Sequence, residues 1–204
     1  MREMDGFQRR TLRKRRAILE AAETMFSDPG FSRAKVIDIA EAAGVSPVTI
    51  YNYFGNKDGL LRAVISGYME RRWRRFRGII ESENPFPEKI RLLLEDGWAG
   101  DESDPRLWES VPTDDPGVRQ MRGRFYRNRV QPAVLGLIRE GRSEGYVDPD
   151  LSEEAILFHL ELFREAVGRA ELQTPGKRAL RRELAALFFY GLIGPGGREA
   201  GDPG

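Results

Sequence analysis

The sequence predicts an all-α fold of about nine helices, and three observations support this prediction. Apolar residues recur at three- and four-residue spacing along most of the chain, which is the period of a helix with one buried face. Caps and breakers, above all glycine and proline, separate these runs. No run of residues alternates in the way that predicts a convincing strand.

The nine predicted helices follow one another with short connections. They span about 8–27, 35–43, 47–53, 57–82, 87–98, 106–111, 117–143, 152–171 and 175–193. The first is predicted to turn Leu12, Leu19, Ala22 and Phe26 inward, and Asp28-Pro29-Gly30 ends it. The long fourth helix, capped by Asn56, has an inner row of Leu60, Leu61, Val64, Ile65, Tyr68, Met69, Trp73, Phe76 and Ile80. Pro132 predicts a kink or break because proline lacks the N–H of a helical hydrogen bond.

The charge of the chain is divided unevenly. Residues 1–77 carry 16 Lys/Arg against 9 Asp/Glu, a net of +7, whereas residues 78–204 carry 17 against 23, a net of −6. This asymmetry indicates one module that binds a polyanion and one that does not. We expect domains at 8–70 and 71–194 and a disordered glycine- and proline-rich tail at 195–204. No apolar run of about 18 residues predicts a membrane span, and the absence of cysteine is compatible with a cytoplasmic protein.

Residues 36–57 predict two short helices joined by a tight turn. Gly44 follows the first helix, where a positive φ is often required, and Ser46 and Pro47 suit the cap and first residue of the second. Ile50 and Phe54 face inward, which leaves an amide and aromatic side chains on the open side. A short helix of this kind fits a DNA major groove about 12 Å wide.

The surrounding residues resemble the tetracycline-repressor (TetR) family of bacterial transcriptional regulators over about 9–62. The strings that carry the resemblance are R-K-R-R-A-I-L-E-A-A-E-T-M-F, D-I-A-E-A-A-G-V-S and T-I-Y-N-Y-F-G-N-K-D-G-L-L. The resemblance implies an N-terminal three-helix helix-turn-helix DNA-binding domain and a C-terminal helical ligand-binding and dimerisation domain. It also implies a homodimer, double-stranded operator DNA and a small-molecule effector as partners.

The resemblance and the side-chain chemistry together assign the DNA-binding residues. They are Lys35, Ser46, Pro47, Val48, Thr49, Tyr51, Asn52, Tyr53 and Lys57. Asn52 can pair with an adenine edge, Val48 and Pro47 can meet a thymine methyl, and hydroxyls and ammonium groups suit phosphate oxygens. Family members often have serine or threonine where Ala34 and Lys35 stand, so the cap of the helix at 35–43 comes from Ser32 or is missing.

The helix at 152–171 is apolar on nearly every side, which predicts that it is buried all round. A second subunit is the simplest cover, and Phe163, Leu184 and Phe188 are the predicted interface residues. The alternative is that both terminal helices form the core of their own domain. A ligand cavity lined by Trp98, Trp108, Phe125, Tyr126 and His159 is a weaker prediction, because such aromatics also suit a plain core and His159 also suits an interface.

Two arginine-rich runs have two interpretations each. Residues 9–16 either contact the DNA backbone or minor groove or form a solvated helix start. Residues 71–77 form a second nucleic-acid patch or, as the sequence favours, the solvated face of a helix whose Trp73 and Phe76 are buried.

No catalytic constellation, cofactor motif or metal-ligand set is present in the sequence, which therefore predicts a protein that is not an enzyme. The predicted function is a ligand-responsive transcriptional regulator, most simply a repressor that binds a palindromic operator as a dimer. A non-specific architectural DNA-binding protein, an enzyme with a DNA-binding module, and an activator of the same fold stay open as alternatives.

Overall fold

The computed structural model describes residues 6–95 and 115–167, and the short stretches 175–177, 179–180, 183–184 and 186–187. All regular secondary structure in these ranges is helical, which confirms the predicted fold class. The helices are α1 (Gly6–Met25), α2 (Val36–Ala42), α3 (Pro47–Phe54), α4 (Lys57–Ile80), α5 (Phe86–Glu95), α6 (Pro116–Phe125), α7 (Gln131–Ser143) and α8 (Glu153–Val167). The predicted helix at 106–111 and the tail at 195–204 lie outside the described residues. No described helix is long and apolar enough to cross a membrane.

The first of two compact units comprises, among the described residues, 6–72 and 115–122. Its core is formed by side chains of α1 to α4, of α6 and of the connection between α1 and α2. They are Ile18, Ala22, Phe26, Ala34, Ile39, Ala40, Ile50, Leu60, Leu61, Val64, Ile65 and Val118. One sequence prediction was wrong here: Leu12 is 51% exposed. Leu12 precedes the fully buried Ile18 by six residues, which turns it about 120° away from the buried face of α1.

The second unit comprises residues 73–95 and 123 onward. Its core contains Phe76, Ile90, Leu93, Val134, Leu137 and Leu160, so α5, α7 and α8 pack together. Lys89 is 5% exposed, and its ammonium group donates to Glu140 Oε1 at 2.6 Å. A buried cation requires such a partner, so this pair fixes α5 against α7.

The expected interruption near Pro132 is present as a widened turn rather than a break. Residues Tyr126–Val130 connect α6 to α7, and the Gln131 N–H donates to the Tyr126 carbonyl, five residues earlier instead of four. Pro132 has no N–H to donate, so the hydrogen-bond register changes where a normal helix would clash with its ring.

Within the residues that the structure describes, α8 is covered on one side only, and cover of the other side by a second subunit stays a prediction. Leu160 is buried and Ile156 and Leu157 pack on the core, but Phe158 is 66% and Leu162 50% exposed. Helical periodicity explains why Leu160 is buried while Phe158 and Leu162 are exposed, because one neighbouring layer can cover only one face of a helix.

Candidate nucleic-acid interface

The turn between α2 and α3 has the geometry that the glycine signal predicts. Gly44 has a φ of +65°, and the Val45 N–H donates to the Ala40 carbonyl at 2.9 Å. The Gly44 N–H donates to the Glu41 carbonyl at 3.1 Å. These bonds satisfy carbonyls that would otherwise lack partners at the end of α2, and they aim the chain directly into α3.

Helix α3 begins as predicted. The Ser46 hydroxyl accepts a hydrogen bond from the Thr49 N–H at 3.3 Å and lies 2.9 Å from the Thr49 hydroxyl, and Pro47 is the first helical residue. Ile50 is 1% exposed and Phe54 packs against the same core. A cap at one end and a buried anchor in the middle therefore fix both the position and the rotation of α3.

The outer face of α3 exposes three of the six residues of this helix that the sequence assigned to base or phosphate contact. Val48 is 65% exposed, Tyr51 is 48% exposed, and Asn52 is exposed. Pro47 and Thr49 are half-buried, and Tyr53 is half-buried against the core with its ring tilted beside Phe54. This face offers a methyl-bearing side chain, a phenol and an amide within one helical turn. These groups match thymine methyls, phosphate oxygens and adenine edges, respectively.

Two lysines lie near the ends of the motif. Lys35 is the exposed N-cap residue of α2, and no side chain caps that helix, so the alternative of a missing cap is the one observed. Lys57 begins α4, and its ammonium nitrogen lies 4.5 Å from the centre of the Phe31 ring. Asn56 caps α4 as predicted, since its side-chain oxygen accepts from the Gly59 N–H at 2.7 Å.

The basic run at the start of α1 is exposed throughout, but its members differ in their surroundings. Arg16 forms an ion pair with Glu20 at 2.7 Å, and this hydrogen bond raises the pKa of Arg16 above its usual value. Arg15 lies over the Phe54 ring at 5.4 Å from the ring centre, beside the end of α3. Arg15 is therefore a member of this run that the fold places against the end of α3.

The second run, residues 71–77, has the surroundings of a solvated helix face. Arg71 pairs with Glu23, and Arg77 pairs with Glu81 at 2.9 Å. Phe76 is 6% exposed and Trp73 packs against the core of the second unit. Arg71 and Arg77 are thus balanced by carboxylates, and the two aromatic residues between them are buried in the core or pack against it.

The predicted pocket and interface residues are only partly described. Phe125 and Tyr126 are half-buried, and the Phe125 ring meets the Trp73 ring edge-on with centres 6.3 Å apart. His159 is exposed, whereas Phe163 and Leu184 are half-buried. Trp98, Trp108 and Phe188 lie outside the described residues.

Two strongly exposed apolar residues of the second unit, Phe158 and Leu162, were not among the predicted interface residues. Together with Leu151 and Ala155 they form a stripe at spacings of four, three and four residues, and all four are exposed. The spacing was visible in the sequence. Which side of the helix the chain itself covers was not.

The sequence model of one protein family, bacterial regulatory proteins of the tetR family, matches residues 18–64. This segment includes the whole of α2 and α3. This part of the chain is therefore similar to the TetR family of regulators. The transcriptional regulator UidR of Escherichia coli is 38% identical over 78 residues, which cover 38% of this chain and 40% of UidR. The transcriptional repressor KstR2 of Mycobacterium tuberculosis is 26% identical over 149 residues, 70% of this chain and 74% of KstR2.

The fold of the chain is also similar to that of solved regulators. The regulator FadR of Bacillus subtilis, solved in complex with stearoyl-CoA, is 22% identical with a TM-score of 0.66, covering 86% of this chain and 98% of FadR. At this level of identity the likeness concerns the fold alone.

Proposed function

We propose that this chain is a ligand-responsive DNA-binding transcriptional regulator, and specifically a repressor that binds a palindromic operator as a homodimer. The observation that carries the proposal is the outer face of α3. Val48, Tyr51 and Asn52 are exposed on a helix that is capped at Ser46 and anchored at Ile50. Fixing a short helix this firmly while leaving apolar and amide groups in water suits insertion into a major groove.

The apolar stripe of Leu151, Ala155, Phe158 and Leu162, which begins two residues before α8 and continues along it, supports the homodimer. Leu151 is 46%, Phe158 66% and Leu162 50% exposed, and Leu180 and Leu187 add exposed apolar area further along the chain. A two-fold symmetric contact would place the stripe of one subunit against the same stripe of its partner. Two identical subunits present two recognition helices, so the operator is expected to contain inverted half-sites.

Two relatives support a repressor that responds to a small molecule. KstR2 is a transcriptional repressor, and FadR was solved with stearoyl-CoA. In the present chain α4 is continuous from Lys57, beside the recognition helix, to Ile80, which packs against the core of the second unit. We propose that an effector bound in the second unit acts on the recognition helices through α4. The effector must then bind the released form more tightly than the DNA-bound form.

Reciprocity of the two binding events tests this function without knowledge of the regulated genes. A compound found by thermal-shift screening is titrated into the dimer with and without operator DNA. If the compound lowers operator affinity by about 5–150-fold, DNA must weaken its binding by the same factor. Equal compound affinities in the two titrations would show that the compound does not switch the protein. The same result for every hit would contradict ligand response while leaving DNA binding intact.

A further inference from the structure

We propose that the Phe31 ring is a positioning group for Lys57, which it holds ready to contact a phosphate of the bound DNA. The inference rests on the proposed DNA-binding function and adds a residue that lies outside the helix-turn-helix itself. Phe31 lies in the connection between α1 and α2, 26 positions before Lys57. The ring and the ammonium group are therefore brought together by the tertiary fold.

The contact has the geometry of a cation–π interaction. The Lys57 ammonium nitrogen lies 4.5 Å from the Phe31 ring centre, within the range of about 6 Å in which such contacts stabilise a cation. The same nitrogen donates a long hydrogen bond of 3.5 Å to the Ser32 carbonyl. Both partners offer negative electrostatic potential, and an ammonium group has three donors, so donor capacity remains for a phosphate oxygen.

The position of Lys57 in α4 makes such support valuable. Lys57 is the first residue of a 24-residue helix, where the positive end of the helix dipole disfavours a cation. Asp58 in the first turn and the Phe31 ring offset this repulsion. A lysine side chain also loses rotamer freedom when it binds a phosphate, and less is lost if the ring already restricts it.

The Phe31 ring is itself held in place. It is half-buried against the core of the first unit and meets the fully buried Phe26 edge-on, with ring centres 5.2 Å apart. A ring fixed on one side by the core and open to a cation on the other is a rigid platform. Leucine would preserve apolar packing at this position but lacks the negative ring face.

A double-mutant cycle on full-length protein tests the proposal. We expect F31L to lower affinity for operator DNA about two- to fivefold in wild-type protein, and to have no effect when Lys57 is already alanine. F31Y keeps the ring face and is expected to bind like wild type. A second cycle that pairs F31L with K35A is the control, because the cation over the Phe31 ring is Lys57 rather than Lys35, so the two effects should simply add.

The outcomes separate the positioning role from a structural role and from a failure of the function. If F31L weakens binding equally with and without Lys57, Phe31 acts through the fold and the proposal is overturned. If F31L strengthens binding, the ring sequesters Lys57 and the proposal is again overturned. If wild-type protein binds no DNA, the proposed function itself fails.

Nuclear magnetic resonance gives a second test that needs no Phe31 variant to fold. The protons next to the Lys57 ammonium lie near the aromatic face, so we expect an upfield ring-current shift in the free protein. The proposal requires that this shift persists in the DNA complex. A return to the ordinary lysine value on DNA binding would show that Lys57 leaves the ring to reach the phosphate, and would overturn it.

Discussion

The change Phe158→Ala is expected to weaken the homodimer by about two orders of magnitude or more. A fully buried phenylalanine removes about 150–250 Å² from water, so the 66% of Phe158 that a single chain exposes corresponds to about 100–165 Å². At about 25 cal/mol per Å², covering this area contributes about 2.5–4 kcal/mol for each copy. A two-fold interface contains two copies. Even if alanine keeps half of the total, the loss of about 3 kcal/mol raises the dimer Kd about 100-fold.

Sedimentation across a concentration series measures this Kd. Leu12→Ala is the matched control, because Leu12 is 51% exposed but lies on α1 of the other unit, and it is expected to leave the Kd unchanged. Phe158 is a cleaner target than the half-buried Phe163 or Leu184, whose replacement by a charged residue would also damage packing within the chain. A dimer Kd that Phe158→Ala leaves unchanged, or a wild-type monomer at micromolar concentration, would refute the assigned interface.

Three further substitutions test the DNA-binding unit. Asn52→Ala should lower operator affinity by about 1–3 kcal/mol in a fluorescence titration and leave affinity for random DNA unchanged. Equal losses of affinity for operator and for random DNA would mean that Asn52 makes no base contact. Arg15→Ala should reduce the slope of log affinity against log salt concentration by about 0.9. Arg13→Ala, on the opposite side of α1, should reduce the slope less, and equal slopes for the two variants would contradict a DNA contact that is specific to Arg15. Gly59→Ala places a Cβ 2.0 Å from the Phe54 carbonyl oxygen and should lower the melting temperature, whereas Gly67→Ala, whose Cβ would lie 3.8 Å from the nearest atom, should not.

The DNA-binding unit was predictable from the sequence because its signals are local. Gly44 required a positive φ, Ser46 and Asn56 supplied caps, and Ile50 marked the buried side of α3. Each signal depends on residues within about one helical turn, so one stretch of sequence contains it completely.

Features that depend on contacts distant in sequence were not predictable. The Phe31–Lys57 and Lys89–Glu140 contacts join residues 26 and 51 positions apart. The all-round apolar pattern at 152–171 could not show which side of the helix the chain leaves open. Leu12 was misplaced because a single leucine on the flank of a helix fits either face.

The central claim is that the chain binds a specific palindromic DNA sequence as a dimer. The most direct test is to let the purified dimer select DNA from a pool of random duplexes. We expect sequencing of the bound fraction to recover an inverted repeat, with half-site centres one or more helical turns apart. An Asn52→Ala protein is expected not to enrich the same repeat. A bound fraction with no common sequence, despite high affinity at low salt, would identify a non-specific DNA-binding protein and contradict the account.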